Sequence, residues 1–230
     1  MAGGFARRYD DALGVKSVSW SPSGQMLSVG SYDQFARVLN HVTWKVLAEH
    51  DHSAGKVDGS KVDVYREHTF YDGAAERTRY AVEDGVVVVP TEAVDEAKPF
   101  PKLGVGLQAW SSDGELLFTR NDNMPTALWV WETTTLSLTA LLLHDEPVKH
   151  AAWDPTAQRI AIATGTSKLF FWSADSAMCV DVPAEGFAAN SLAWCAQADG
   201  AQAIVLNDAS PGAAKQASSN HFCVVYFSEQ

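Results

Sequence analysis

The chain has 230 residues, 47% of them hydrophobic and eight of them tryptophan, with a net charge of -11 and a pI near 4.9. That suffices for one large all-β domain or two small ones, and the acidic balance argues against a nucleic-acid partner because phosphate backbones are repelled. No apolar run reaches the roughly 18 residues of a membrane span, and three cysteines (Cys179, Cys195, Cys223) without a C-x-x-C pair or a glycosylation sequon point to a reducing compartment, cytosol or nucleus.

Residues 1–10 read as an N-terminal extension. Residues 11–48 open with "VKSVSW", ending on Trp20, then the turn "SPSG", a second apolar run "MLSVG", a tight turn holding Asp33, a third run "FARVLN" and an outer strand "HVTWKVLA". This is period-2 alternation cut by turn chemistry, so the segment predicts a four-stranded meander. Residues 49–100 are charged and loop-rich, with strand-like pieces "VDVYRE", "RTRYAVE" and "GVVVVP". They read as a degenerate unit or a charged insertion, with partial disorder expected. Residues 101–143, 144–184 and 185–230 repeat the meander, anchored on Trp110, Trp153 and Trp194. The last unit carries a polar, Ala-rich loop over 207–220, expected to be mobile, and ends on "HFCVVYF".

The spacing carries the argument further. Trp110 and Trp153 are 43 residues apart, Trp153 and Trp194 are 41 apart, and Trp20 and Trp110 are 90 apart, or two periods of 45. A period of about 40–45 with four short strands is the WD40 β-propeller signature. Five residues before the anchors stand Val15, Val105, Val148 and Ala189. Nineteen after them stand Leu39 and Trp172, while Trp131 follows Trp110 at 21. The turn between the second and third strands is therefore two residues longer in that unit, and the extra length lies within "RNDNMPTA".

The fold class expected is all-β: a WD40-type propeller, incomplete, of about four to five four-stranded blades. Four or five are few beside the usual ring, so the sequence reads as the C-terminal part of a longer propeller. The end blades, one with Val15 and Trp20 and the other with Trp194 and Phe227, are expected to expose apolar faces.

Candidate sites fall into two groups. Arg120, Asn121, Asp122, Asn123 and Met124 form an exposed recognition turn for a partner peptide, on the propeller face where loops between second and third strands lie. Trp20, Trp110, Trp131, Trp153, Trp172 and Trp194 are expected to be mostly core. WD40 blades carry a buried network of His, Ser or Thr, turn Asp and closing Trp. His144, Thr164 and Trp172 are expected to form such a set, with Asp33 filling the turn position of the first unit, so the network is expected to be partial everywhere. "EHDH" (Glu49–His52), with His41 and His68 nearby, places His50 and His52 on one extended face, where two metal ligands would fit; the plainer reading is a solvated loop. No metal, cofactor or catalytic residue is assigned: G-x-S-x-G, H-E-x-x-H, G-x-x-x-x-G-K-[ST] and G-x-G-x-x-G are absent from the sequence.

Several stretches are more specific than generic WD40 text. "YDDALGVKSVSWSPSGQMLSVGSYD", "ARVLNHVTWK", "TRNDNMPTALWVWE", "WDPTAQRIAIATGTSKLFFWS" and "HFCVVYF" resemble the centrosomal family called WD-repeat-containing protein 8, over most of 9–48 and 101–230. The resemblance implies a non-enzymatic scaffold at centrosomes or spindle-pole bodies. There it would act with a coiled-coil anchoring protein and, in fungi, a minus-end-directed kinesin, holding microtubule minus ends. The alternatives are a generic cytosolic or nuclear WD40 adaptor, or the propeller domain of a hydrolase.

Overall fold

Runs that alternate apolar and polar residues offer a helix no continuous apolar face, and here they fold as strands. The computed structural model describes residues 14–95, 97–184, 186–196, 202–208 and 221–226. Every helix or strand among them is a strand. The expected extension 1–10, residues 209–220 of the expected loop, and Phe227 lie outside the described residues.

Blade I is the antiparallel meander β1 (Val15–Trp20), β2 (Met26–Ser31), β3 (Phe35–Asn40) and β4 (Val46–Asp51). Four strands follow: β5 (Lys56–Asp58), β6 (Asp63–Asp72), β7 (Ala75–Glu83) and β8 (Val86–Val88). Blade II comprises β9 (Val105–Trp110), β10 (Leu116–Asn121), β11 (Ala127–Glu132) and β12 (Ser137–Leu143). Blade III is β13 (His150–Trp153), β14 (Arg159–Ala163), β15 (Lys168–Ser173) and β16 (Ser176–Asp181). Blade IV has β17 (Ser191–Ala196), β18 (Gln202–Asn207) and β19 (Phe222–Tyr226) among the described residues. The third strands β11 and β15 are buried on both faces, since each lies between two neighbouring blades.

The segment 49–100 corrects the expectation of partial disorder. β6 pairs in parallel with the outer strand of blade II, Ala140 opposite Asp63 through Leu143 opposite Arg66. The hairpin β6–β7 thus extends that blade to six strands in the order β7-β6-β12-β11-β10-β9. β5 and β8 pair separately. Val57, Val64, Val87 and Val89 bury against Trp129, Leu141 and Leu143. That apolar contact offsets the cost of ordering a charged, loop-rich stretch.

The anchor tryptophans do more than fill space. Trp110 donates its indole N–H to the carbonyl of Ser19 at 3.0 Å, Trp153 to Ala109 at 2.9 Å, and Trp194 to Ala152 at 3.1 Å. Each acceptor immediately precedes the anchor of the previous blade. The repeat seen in sequence is therefore a repeated bond between blades. Trp110 and Trp153 are buried and Trp194 is half-buried. Trp20 departs from the expected core position: it is 50% exposed and meets the edge of Trp44, at 6.1 Å between centroids. No described blade lies beyond β1, so Val15 and Val18 are exposed beside it. On β19, Phe222, Val224 and Tyr226 are likewise exposed.

These contacts predict unequal tryptophan substitutions. Trp153→Phe removes a buried donor from the Ala109 carbonyl and should cost about 1–3 kcal/mol in urea melts. Trp20→Phe should stay within about 0.5 kcal/mol, as for a surface change. Equal losses would refute the bonded-ladder description.

Candidate protein-interaction site

The enlarged turn after β10 is not the exposed loop expected from its polarity. Asn121 is fully buried, Met124 is 1% exposed and Asn123 is buried. Arg120 and Asp122 retain only partial exposure, 20% and 22% of their side chains. Asn121 donates its side-chain amide to Gln34 of blade I at 3.0 Å. Met124 packs into the cluster of Val57, Val87, Trp129 and Leu143 rather than forming an adaptable tip. The polar letters were misleading because neighbouring blades cover the turn and supply partners to Asn121, Asp122 and Arg120.

Asp122 is the centre of that arrangement. Its carboxylate contacts Lys16 of β1 at 2.7 Å and Arg120 at 3.0 Å. Lys16 also donates to the Leu103 carbonyl at 2.6 Å, and Arg120 donates to the carbonyl of Val148, on the approach to blade III. One carboxylate thereby links three blades. Glycine makes the approach possible: a Cβ on Gly106 would fall 2.6 Å from an Asp122 oxygen. Gly104, at φ +86, would place a Cβ 2.3 Å from the Ser31 carbonyl, so no other residue fits this crossing.

Beneath the turn runs a directed chain of hydrogen bonds. Trp131 donates its indole N–H to Thr119 Oγ1 at 2.7 Å. Thr119 Oγ1 in turn lies 2.7 Å from His52 Nε2. His52 Nδ1 faces the carbonyls of Gln34 and His50, both at 3.1 Å, which fixes the proton on Nδ1 and leaves Nε2 to accept from the threonine. His50 stacks on Trp131 at 4.1 Å, and both histidines are buried. The solvated-loop reading of "EHDH" is therefore overturned. Burial drives the pKa of His50 and of His52 down to about 4. Sequence reasoning missed this set because the inserted strands put His52 67 residues before Thr119. The available signal was the nine-residue step from Trp110 to Thr119.

His144 occupies the same backbone position one blade later, but Thr164 does not join it. Its amide donates to the Thr126 carbonyl at 3.0 Å, as that of His52 does to Gln34 at 3.1 Å. In blade III the residue equivalent to Thr119 is Ile162, because Thr119 lies opposite Gln108 and Ile162 opposite Ala151. Thr164 sits two residues further on and contacts Thr166 instead, at 3.1 Å. Trp172 is buried but does not bond Thr164. The hydroxyl that reaches His144 Nε2, at 2.6 Å, comes from Tyr80 on the inserted hairpin. Burial lowers the His144 pKa to about 4 and raises that of Tyr80 well above its usual value. In blade I, Asp33 pairs with buried Arg37 at 2.7 Å and accepts from the Phe35 amide, a turn-holding role.

Such an arrangement gives a face whose partly exposed polar groups, Lys16, Arg120, Asp122 and the nearby Tyr32 and Gln34, stand on blades I and II, with blade III tied to them through Arg120. Among the described residues no cluster of three or more His, Cys, Asp or Glu is placed to hold a metal.

The chain is similar to known WD40-repeat proteins. The family described as WD domain, G-beta repeat matches residues 7–40. The mouse (Mus musculus) WD repeat-containing protein WRAP73 is 36% identical over 237 residues, covering 95% of this chain and 48% of that protein. The chain thus spans about half the length of the curated relative it matches. The crystal structure of the RRP9 WD40 repeats superposes with a TM-score of 0.50 at 12% identity, covering 86% of this chain and 49% of the other. The structure of U3-55K gives 0.48 at 11% identity, covering 86% and 50%. At 12% identity the likeness to the RRP9 repeats bears on the fold alone.

The buried groups make two kinds of prediction, one of stability and one of pH dependence. Thr119→Val strands the Trp131 indole N–H and the His52 ring together, and should cost about 2–4 kcal/mol; a loss below that of Trp20→Phe would break the assignment. Asn121→Ala should likewise behave as a buried change, costing about 1–3 kcal/mol. The second concerns pH. His50, His52 and His144 have folded pKa values near 4 against an ordinary 6.5, so the unfolded chain takes up their protons first. Stability is fully present above about pH 6.5 and falls towards pH 4, by on the order of 3 kcal/mol per buried ring. Urea melts of H144F/Y80F should lose one ring's share of that slope while the parent keeps it. Identical slopes would refute the burial argument.

Proposed function

Because the chain carries a WD40 repeat in a propeller-type array of blades, we propose that it is a non-enzymatic scaffold of centrosomes or spindle poles. WD40 arrays are platforms for protein–protein interaction, and in this one repeated bonds tie each blade to the next. The observation that carries the finer reading is where the family-specific stretches fall. "LNHVTW" builds the turn in which Asn40 Oδ1 accepts from the amides of Val42 and Thr43, at 3.0 and 2.9 Å, and holds Trp44 at φ +54 beside Trp20. "TRNDNMPTALWVW" builds the three-blade staple and the Thr119–Trp131 bond. The 36% identity to WRAP73 across 95% of the chain supports a shared binding architecture.

In this role the propeller would hold a coiled-coil anchoring protein and, in fungi, a minus-end-directed kinesin, helping to anchor microtubule minus ends at the cytoplasmic microtubule-organising centre. The test is to follow the tagged full-length protein through mitosis and to identify what is recovered with it. Concentration at spindle poles together with a coiled-coil pole component is expected. A diffuse signal throughout mitosis would leave a generic WD40 adaptor instead.

A further inference from the structure

The inserted hairpin overhangs the blade that carries it. β12 pairs only with Asp63–Arg66 of β6, whereas β6 and β7 stay paired with each other out to Asp72 and Ala75. Side chains alternate between the two faces of the hairpin. One face rests on blade III: Tyr80 meets His144 at 2.6 Å, Glu67 accepts from the Asp145 amide at 3.0 Å, and Glu76 pairs with Lys168 at 3.3 Å. The other face turns outward. There His68 lies opposite Arg79 and Phe70 opposite Arg77. His68 stacks on Phe70, and the Arg79 guanidinium lies 5.1 Å from the Phe70 ring centre.

The charges are sorted by this alternation. Glu67 and Glu76 go to the packed face, and Arg66 on the outer face is paired with Glu83. Arg77 and Arg79 are exposed and, among the described residues, have no carboxylate partner. They sit two apart on one strand, so their side chains are about 6.8 Å apart along it, the repeat of alternate residues in any extended chain. β7 is also the outermost strand of its six-stranded sheet. Its stretch from Ala75 to Arg79, exposed except at Thr78, has no backbone bond beyond the pairing with β6 among the described residues.

We propose that the outer edge of β7 is a docking site for an extended acidic segment of a partner protein. The segment adds as a further strand and sets alternate carboxylates against Arg77 and Arg79, with Phe70 and His68 as an apolar–aromatic floor. Edge addition supplies backbone hydrogen bonds, and the cross-strand charge pairs supply selectivity. A polyphosphate or nucleic-acid ligand fits poorly, because it offers no backbone amides and carbonyls spaced to pair with a free strand edge. The proposal rests on the scaffold reading and names one of its contact surfaces.

The test uses the full chain and a fluorescein-labelled synthetic peptide with glutamate at alternate positions and valine or threonine between, followed by fluorescence anisotropy. The wild-type chain should bind it, more weakly as salt rises. R77E/R79E should weaken binding about tenfold or more, and R77K/R79K should hold it within about threefold. Methylating alternate peptide amides should weaken binding in the wild type, which separates strand addition from charge attraction alone. Undetected binding up to about 1 mM, equal affinity of R77E/R79E, or equal binding of the lysine-for-glutamate peptide would overturn the proposal. So would displacement of the peptide by an oligonucleotide of equal charge at equal or lower concentration. Both arginines are exposed, so the variants should fold, and circular dichroism verifies it. Loss of peptide binding with spindle-pole localisation intact would remove this surface and keep the scaffold; peptide binding by a chain that stays diffuse in mitosis would keep the surface and remove the spindle-pole address.

Discussion

One bond recurs across the molecule: the indole N–H of an anchor tryptophan to the carbonyl just before the anchor of the preceding blade. Each contributes only about 1 kcal/mol net, since water is given up on both sides. Its value lies in geometry. A ring buried between two sheets has apolar contacts that tolerate sliding, whereas a single N–H aimed at a single carbonyl fixes the offset of one blade against the next. With that offset set, Lys16, Asp122, Arg120 and the Val148 carbonyl fall into line across three blades. Gly104 and Gly106 can then be crossed at distances that no side chain would permit.

The insertion shows how a propeller accepts extra chain without losing that offset. β6 joins the outer strand of blade II, the edge farthest from the anchor strands β9 and β13, so the added hairpin does not intervene between blades where the ladder runs. It is then folded down onto blade III through Tyr80, Glu67 and Glu76. Tyr80 also repairs a defect. Ile162 leaves the His144 ring without a hydroxyl from the second strand, and a buried imidazole nitrogen without a partner would cost about 1–3 kcal/mol. The tyrosine supplies the missing donor from another element.

The blades were legible in the sequence because they rest on local patterns: alternation within strands, turn residues between them and tryptophans at a fixed period. The closing position of Trp131, two residues late, correctly located the enlarged turn. What was not legible depends on partners distant in the chain. Asn121 read as exposed because nothing nearby in sequence satisfies it, while Gln34 does so from blade I. His50 and His52 read as a solvated loop because their neighbours in sequence are charged, while their neighbours in space are Trp131 and Thr119. Thr164 was grouped with His144 by residue type, but a two-residue displacement along β14 leaves Ile162 at the position that matters. Trp20 matched its repeat in sequence yet lacks a described blade to pack on.

These differences bear on where recognition can reside. Groups consumed in holding blades together are poor contacts for a partner, because a partner must compete with bonds already made. Asn121 is consumed in that way, Asn123 and Met124 are buried beneath the surface, and Asp122 is shared between two cations. The hairpin differs in kind. Its inner face carries the bonds to blade III, so its outer face retains Arg77 and Arg79 without a carboxylate partner, beside a strand edge unpaired among the described residues. Period-2 alternation, the property that made the strands legible, thus also separates the residues that hold this arm from those left available to bind.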